Sequence, residues 1–140
     1  MNARDTTHFP SAVHAVALIG CGPKPRTPDV PPPEAIGFKA HNLARMAAMA
    51  LPVPPAFVLG TGWCADPAAL RPEVWQPALA ALEHASDARF GDARQPLLLS
   101  VRSGAPVSMP GMMETLLNIG LCDATLPGFL RATGNPRLVW

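Results

Sequence analysis

Proline limits this chain before anything else does: 18 of its 140 residues are prolines. Each fixes φ near −65° and removes a backbone donor. Long helices and wide central strands are therefore confined to the few stretches between prolines. Pro23 to Pro33 holds six of the 18. That segment reads as an extended loop, because it can neither continue a helix nor pair well in a sheet. The intervals left over are short, so one small mixed domain with many fixed turns is expected.

The longest informative interval runs from Gln95 to Leu121: Q-P-L-L-L-S-V-R-S-G-A-P-V-S-M-P-G-M-M-E-T-L-L-N-I-G-L. Leu97 to Val101 is an apolar run of strand length, bounded by Pro96 and Gly104. Leu117, Ile119 and Leu121 alternate with Asn118 and Gly120, as a second strand would. Arg102 thus stands at the mouth of a strand, with a glycine loop following. A guanidinium offers a planar fork of donors, and glycine lets backbone N–H groups come close, so the pair suits a phosphate-bearing ligand. The plainer reading is a strand ending in a solvated arginine and an apolar loop.

Other elements follow in order. Met1 to Ser11 is polar and reads as frayed. Ala15 to Ile19 predicts a short strand. Glu34 to Leu51 predicts the first helix, with Leu43, Met46, Ala47 and Ala50 as its apolar stripe and Pro52 as its stop. Ala56 to Leu59 predicts another strand. Trp63 and Cys64 read as core. Asp66-Pro67 opens a helical region whose stripe is Val74, Ala78 and Leu82, with Pro77 set to kink or split it. Asp92 reads as a turn residue. Asp123 is the expected cap of a last helix carrying Leu126, Phe129 and Leu130, closed by Gly134.

Net charge is +1. There is no electrostatic case for nucleic acid or an acidic membrane surface as partner. Cys21, Cys64 and Cys122 are odd in number and far apart, without a C-x-x-C pair. They indicate neither a zinc site nor a disulfide framework, and read as reduced thiols of a cytoplasmic protein. A-V-A-L-I-G-C at Ala15 to Cys21 superficially resembles a lipoprotein cleavage site. Asp5, His8, Pro10 and His14 interrupt the basic start and clean apolar core such a site needs.

The pattern S-V-R-S-G-A-x-V-S-M-P-G-M-M-E-T-x-L-N-x-G-L resembles the N-terminal nucleotide-binding domain of pyruvate, phosphate dikinase, and more distantly that of phosphoenolpyruvate synthase. Three further segments are similar to that family. A-I-G-F-K-A-H-N-L-A-R-M stands where it has G-G-K-G-x-N-L-x-E-M. L-P-V-P-P-A-F-V-L-G-T corresponds to its P-x-P-x-G-F-x-x-T, and G-N-P-R at Gly134 to Arg137 matches as well. The resemblance implies an α/β fold of mixed α+β kind: the N-terminal lobe of an ATP-grasp-like domain, a mixed sheet with flanking helices, truncated. It divides the chain into an N-terminal segment, 1–35, and a partial ATP-binding domain, 36–140.

The resemblance also implies roles. ATP is the implied nucleotide. Lys39 would be a point charge on its phosphates and Arg102 a forked donor. Gly111 would let backbone approach the ligand, with Ser103, Ser108 and Met109 shaping the wall. Glu114 stands where the family has a carboxylate, orienting the loop. The implied activity is that of a kinase, a phosphotransferase: ATP phosphorylates a carrier histidine, and the phosphate passes to pyruvate to give phosphoenolpyruvate.

Mg²⁺ is expected in the full family domain, with ligands downstream of this chain, and none is assigned here. No catalytic residue is assigned either. His8, His14, His41 and His84 lie in no context like the family's carrier-histidine motif T-S-H-A. The expected partners are the nucleotide and the remainder of the dikinase or a separately encoded lobe. Half of a two-lobed domain should leave an apolar face uncovered, made partly by Met109, Met112 and Met113.

Phe38 and Ala40 replace the glycines flanking the family's lysine. If the backbone there had positive φ, phenylalanine would cost about 1–2 kcal/mol. That departure supports the alternative, a degenerate lobe serving as a partner-binding module or a non-functional fragment.

Overall fold

The computed structural model describes residues 14–22, 30–104 and 114–139. It is a mixed α/β chain whose strands form two separate antiparallel pairs. The N-terminal stretch expected to fray and most of the expected proline-rich loop lie outside the described residues.

Strand β1 (Val16–Ile19) pairs with β2 (Ala56–Leu59), from Val16 opposite Leu59 to Ile19 opposite Ala56. Gly60 extends the ladder by donating to the Ala15 carbonyl at 2.9 Å. The A-V-A-L-I-G-C segment is thus built into a sheet, and the Cys21 thiol lies 3.3 Å from the Ile19 carbonyl and 3.4 Å from that of Ala56. Burial pushes the Cys21 thiol pKa up, against those two hydrogen bonds.

The expected first helix is two. Pro33–Ile36 forms α1, a single turn opened by proline at its first position. Phe38–Ala48 forms α2. Gly37 separates them at φ 82°, ψ 153°, close to a region that only glycine occupies readily. Pro33 is therefore helical, unlike the loop that its neighbours predict. No residue of α2 is fully buried, and Met46 of the expected stripe is 38% exposed. Ala50 is outside the helix at φ 61°, and Leu51 donates back to the Met46 carbonyl at 3.0 Å. That closure, not Pro52, ends α2.

The buried centre lies between the first sheet and the helices around it. Ile19, Ala35, Ile36, Ala78 and Leu82 are all buried there. Asp66 accepts from the Ala68 N–H at 2.8 Å and caps a 3₁₀ turn, Pro67–Leu70. Helix α3 (Pro72–Ser86) follows and packs on β1 and β2 through Ala78 and Leu82. Pro77 does not split it. The helix runs on for 15 residues, because packing of the helix against the sheet outweighs one lost backbone bond. Trp63 is half-buried, with its ring edge-on to His14 at 5.1 Å, whereas Cys64 is exposed.

A second unit begins at the 89–97 turn. Asp92 Oδ1 accepts the N–H groups of Arg94 (2.6 Å) and Gln95 (2.9 Å), the turn role expected of it. Strand β3 (Leu99–Arg102) pairs with β4 (Thr115–Ile119). The alternation expected beyond Leu117 breaks here. Leu99 faces Ile119 but Val101 faces Leu116, so β4 carries one extra residue. Asn118, at φ 57°, absorbs it as a bulge. Gly120 follows at φ 102°, where a β-carbon would stand 2.7 Å from the Leu97 carbonyl oxygen. Leu121 is left outside the strand.

Helix α4 (Leu126–Thr133) ends at Gly134, in the left-handed conformation its position predicts. Its cap is Thr125 rather than Asp123, and Thr125 is fully buried. The Thr125 hydroxyl donates to the Gly120 carbonyl (2.7 Å) and accepts from the Cys122 N–H (3.0 Å). Asp123, one residue past Cys122, is exposed. Gly128 lets α4 close on the turn: a β-carbon there would be 2.6 Å from Pro96 Cδ. Arg131 adds a hydrogen bond to the Ala93 carbonyl at 2.8 Å. A short helix, α5 (Pro136–Val139), follows.

Candidate functional site

Two corners of the fold carry the candidate residues. The first is the junction of α1 and α2. Gly37 is buried there, and its N–H donates to the Pro33 carbonyl at 2.8 Å. Its own carbonyl accepts the His41 N–H at 3.0 Å. The His41 ring reaches over α1, with Nδ1 2.8 Å from the Pro31 carbonyl oxygen. Lys39 lies in the first turn of α2 and is exposed.

The strain expected at Phe38 and Ala40 is not found. Both are helical, and the non-glycine residues with positive φ among those described are Ala50, Asp87 and Asn118. The positive φ falls on Gly37, where a glycine is already in place. Sequence reasoning ran the helix through Gly37 and so missed this pivot. The signal was available: a glycine directly before the first turn of a helical pattern marks a break.

The second corner is the open end of the β3–β4 pair. Arg102 stands opposite Thr115, and the Ser103 N–H donates to the Glu114 carbonyl at 3.4 Å. Arg102, Ser103 and Glu114 are all exposed. Ser108, Met109 and Gly111 fall between the two strands and lie outside the described residues, as do Met112 and Met113. The apolar face expected around Met109, Met112 and Met113 falls outside the described residues; on the hairpin itself several large apolar side chains are exposed. Val101 is 50%, Leu116 55% and Leu117 62% exposed.

Gly104 brings the two corners together. A β-carbon on Gly104 would lie 3.6 Å from the Ile36 carbonyl oxygen and 3.8 Å from Gly37 Cα. Arg102 is two residues before that contact and Lys39 two residues beyond Gly37. Two residues span at most about 7 Å, so the Cα atoms of Lys39 and Arg102 are within about 20 Å. Both side chains are long, and neither has an ion-pair or hydrogen-bond partner among the described residues. Gly104 thus sets two exposed cations on touching segments of the chain.

Other features lie elsewhere. A surface hollow between the end of α3 and the 89–95 turn is lined by Glu83, His84, Asp87, Arg89 and Gln95, and includes no candidate residue. Among the described residues, no three or more His, Cys, Asp or Glu side chains gather as a metal site. No helix among them is long and apolar enough to cross a membrane. At the α4 entrance, hydrogen bonds from Thr125 and its backbone, and from the Ala124 N–H, hold the exposed Cys122 thiol below its ordinary pKa.

No family model matches the chain. Curated proteins do. Pyruvate, phosphate dikinase of Clostridium symbiosum is 41% identical over 112 residues, 75% of this chain and 13% of its own length. Pyruvate, phosphate dikinase 2 of Zea mays is 47% identical over 109 residues, 73% of this chain and 12% of its own. The Rhizobium meliloti pyruvate, phosphate dikinase is 40% identical over 115 residues, covering 76% and 13%. The chain therefore spans about an eighth of the length of the relatives it matches.

Proposed function

Over about three quarters of its length this chain belongs with the pyruvate, phosphate dikinases, and from that kinship we infer that it is an ATP-binding lobe of a dikinase-like phosphotransferase. The observation that carries the reading is the seat of Gly104 on Ile36–Gly37. It sets the segment of Arg102 beside the segment of Lys39. Their charges, without partners among the described residues, suit the phosphates of ATP, and phosphoryl transfer depends mostly on such positioning and charge neutralisation. Ser103 and Glu114 flank the arginine, and Ser108, Met109 and Gly111 complete the set in sequence.

The reaction served is ATP-dependent phosphorylation of a carrier histidine leading to phosphoenolpyruvate. The carrier and the pyruvate site belong to the rest of a dikinase or to a separately encoded lobe, in the cytoplasm. Mg²⁺ would neutralise phosphate charge in such a complex, and the kinship implies that its ligands come from that same remainder of the dikinase. The rival reading, a degenerate lobe, drew on Phe38 and Ala40, and neither has a strained backbone.

Titration calorimetry of Mg-ATP into the 140-residue chain tests the reading. Arg102→Ala and Lys39→Met are each expected to weaken binding at least about tenfold. Equal heats from wild type and both variants would defeat it.

A further inference from the structure

The α1–α2 corner is closed almost entirely by backbone. Ala35 and Ile36 donate to Pro32, Gly37 to Pro33, and His41 to Gly37. A four-residue helix has little stability of its own. Its link to α2 is Gly37, the residue type with the greatest conformational freedom. Thr61 donates to the Glu34 carbonyl of α1 at 2.7 Å from outside the corner, and among the described residues one side-chain bond joins α2 across it, from His41 Nδ1 to the Pro31 carbonyl at 2.8 Å, ten residues apart in sequence. The carbonyl only accepts, so Nδ1 carries the proton.

His41 and Lys39 share the first turn of α2. The angle at which α2 leaves Gly37 therefore decides where the ammonium of Lys39 stands relative to Arg102, which approaches through Gly104. We propose that His41 is a positioning residue for Lys39, acting through its Nδ1–H bond to the Pro31 carbonyl. This rests on the reading of Lys39 as a phosphate contact. His41 does not itself touch the nucleotide.

Three variants of the full chain, titrated with Mg-ATP, separate the possibilities. His41→Leu removes the donor and is expected to weaken ATP about tenfold, a change of about 1.4 kcal/mol. His41→Asn places an amide N–H near the position of Nδ1 and is expected to stay within about twofold of wild type. In a Lys39→Met background, His41→Leu should have no further effect, because the coupling vanishes with the group being positioned. If His41→Leu fails to fold, His41→Gln, whose amide sits one bond too far along, carries the same comparison. Wild-type affinity in the donor-less variant, or an equal loss in the Lys39→Met background, overturns the positioning role alone. A wild-type chain that binds no ATP overturns both this role and the nucleotide reading beneath it.

Discussion

Gly104 rests on Gly37: a β-carbon placed on the first would lie 3.8 Å from the α-carbon of the second. That is ordinary contact, so alanine fits and Gly104→Ala should bind ATP within about twofold of wild type. Tryptophan does not fit, and over-packing pushes backbones apart. Gly104→Trp should part β3 from the α1–α2 corner and weaken ATP about tenfold or more, since small misplacements of a clamp are costly. Calorimetry reads both variants, with a thermal melt as the check on folding.

Thr125 is fully buried with its hydroxyl engaged in both directions. Thr125→Val keeps the shape but strands the Cys122 N–H and the Gly120 carbonyl. The expected loss is about 1–3 kcal/mol, read as a lower urea midpoint at unchanged slope.

Asp92 is held below its ordinary carboxylate pKa, first by the Gln95 N–H and then by that of Arg94. A depressed native pKa means stability that is fully present above the unfolded value, about 3.9. It fades as pH falls through the lower native value. Wild type should therefore lose melting temperature between about pH 5 and pH 2 more steeply than Asp92→Asn, whose amide oxygen still accepts both bonds. Parallel melts across that range decide it.

The thiols should react in a fixed order. Cys122 is exposed with its pKa lowered, while Cys21 is partly buried with its pKa raised. The thiolate is the nucleophile. Limited iodoacetamide treatment near neutral pH should label Cys122 well ahead of Cys21, as peptide mass spectrometry would show.

The sequence was most legible where side-chain chemistry acts locally. The strand Ala56–Leu59, the turn at Asp92 and the left-handed Gly134 are each decided within a few residues, and all three appear as expected. It was least legible where distant packing decides. Pro77 sits inside an unsplit helix that packs on β1 and β2 and buries Ala78 and Leu82 just beyond it. Thr125 holds the cap position in place of Asp123, and its hydroxyl is bonded to Gly120, five residues back, instead of to a helix N–H. At the candidate site, Lys39 and Arg102 could be named from their neighbours in sequence. Their approach depends on Gly104 meeting Gly37, a contact between residues 67 positions apart, which no local pattern encodes.

The extra residue in β4 sets the phase of everything beyond it. Carried on evenly from Leu99 opposite Ile119, the ladder would have set leucine across from Arg102 and Glu114 across from Gly104. The left-handed Asn118 advances the strand by one place. The guanidinium thereby gains a threonine as neighbour, and the acidic residue moves off the very glycine on which the two corners meet.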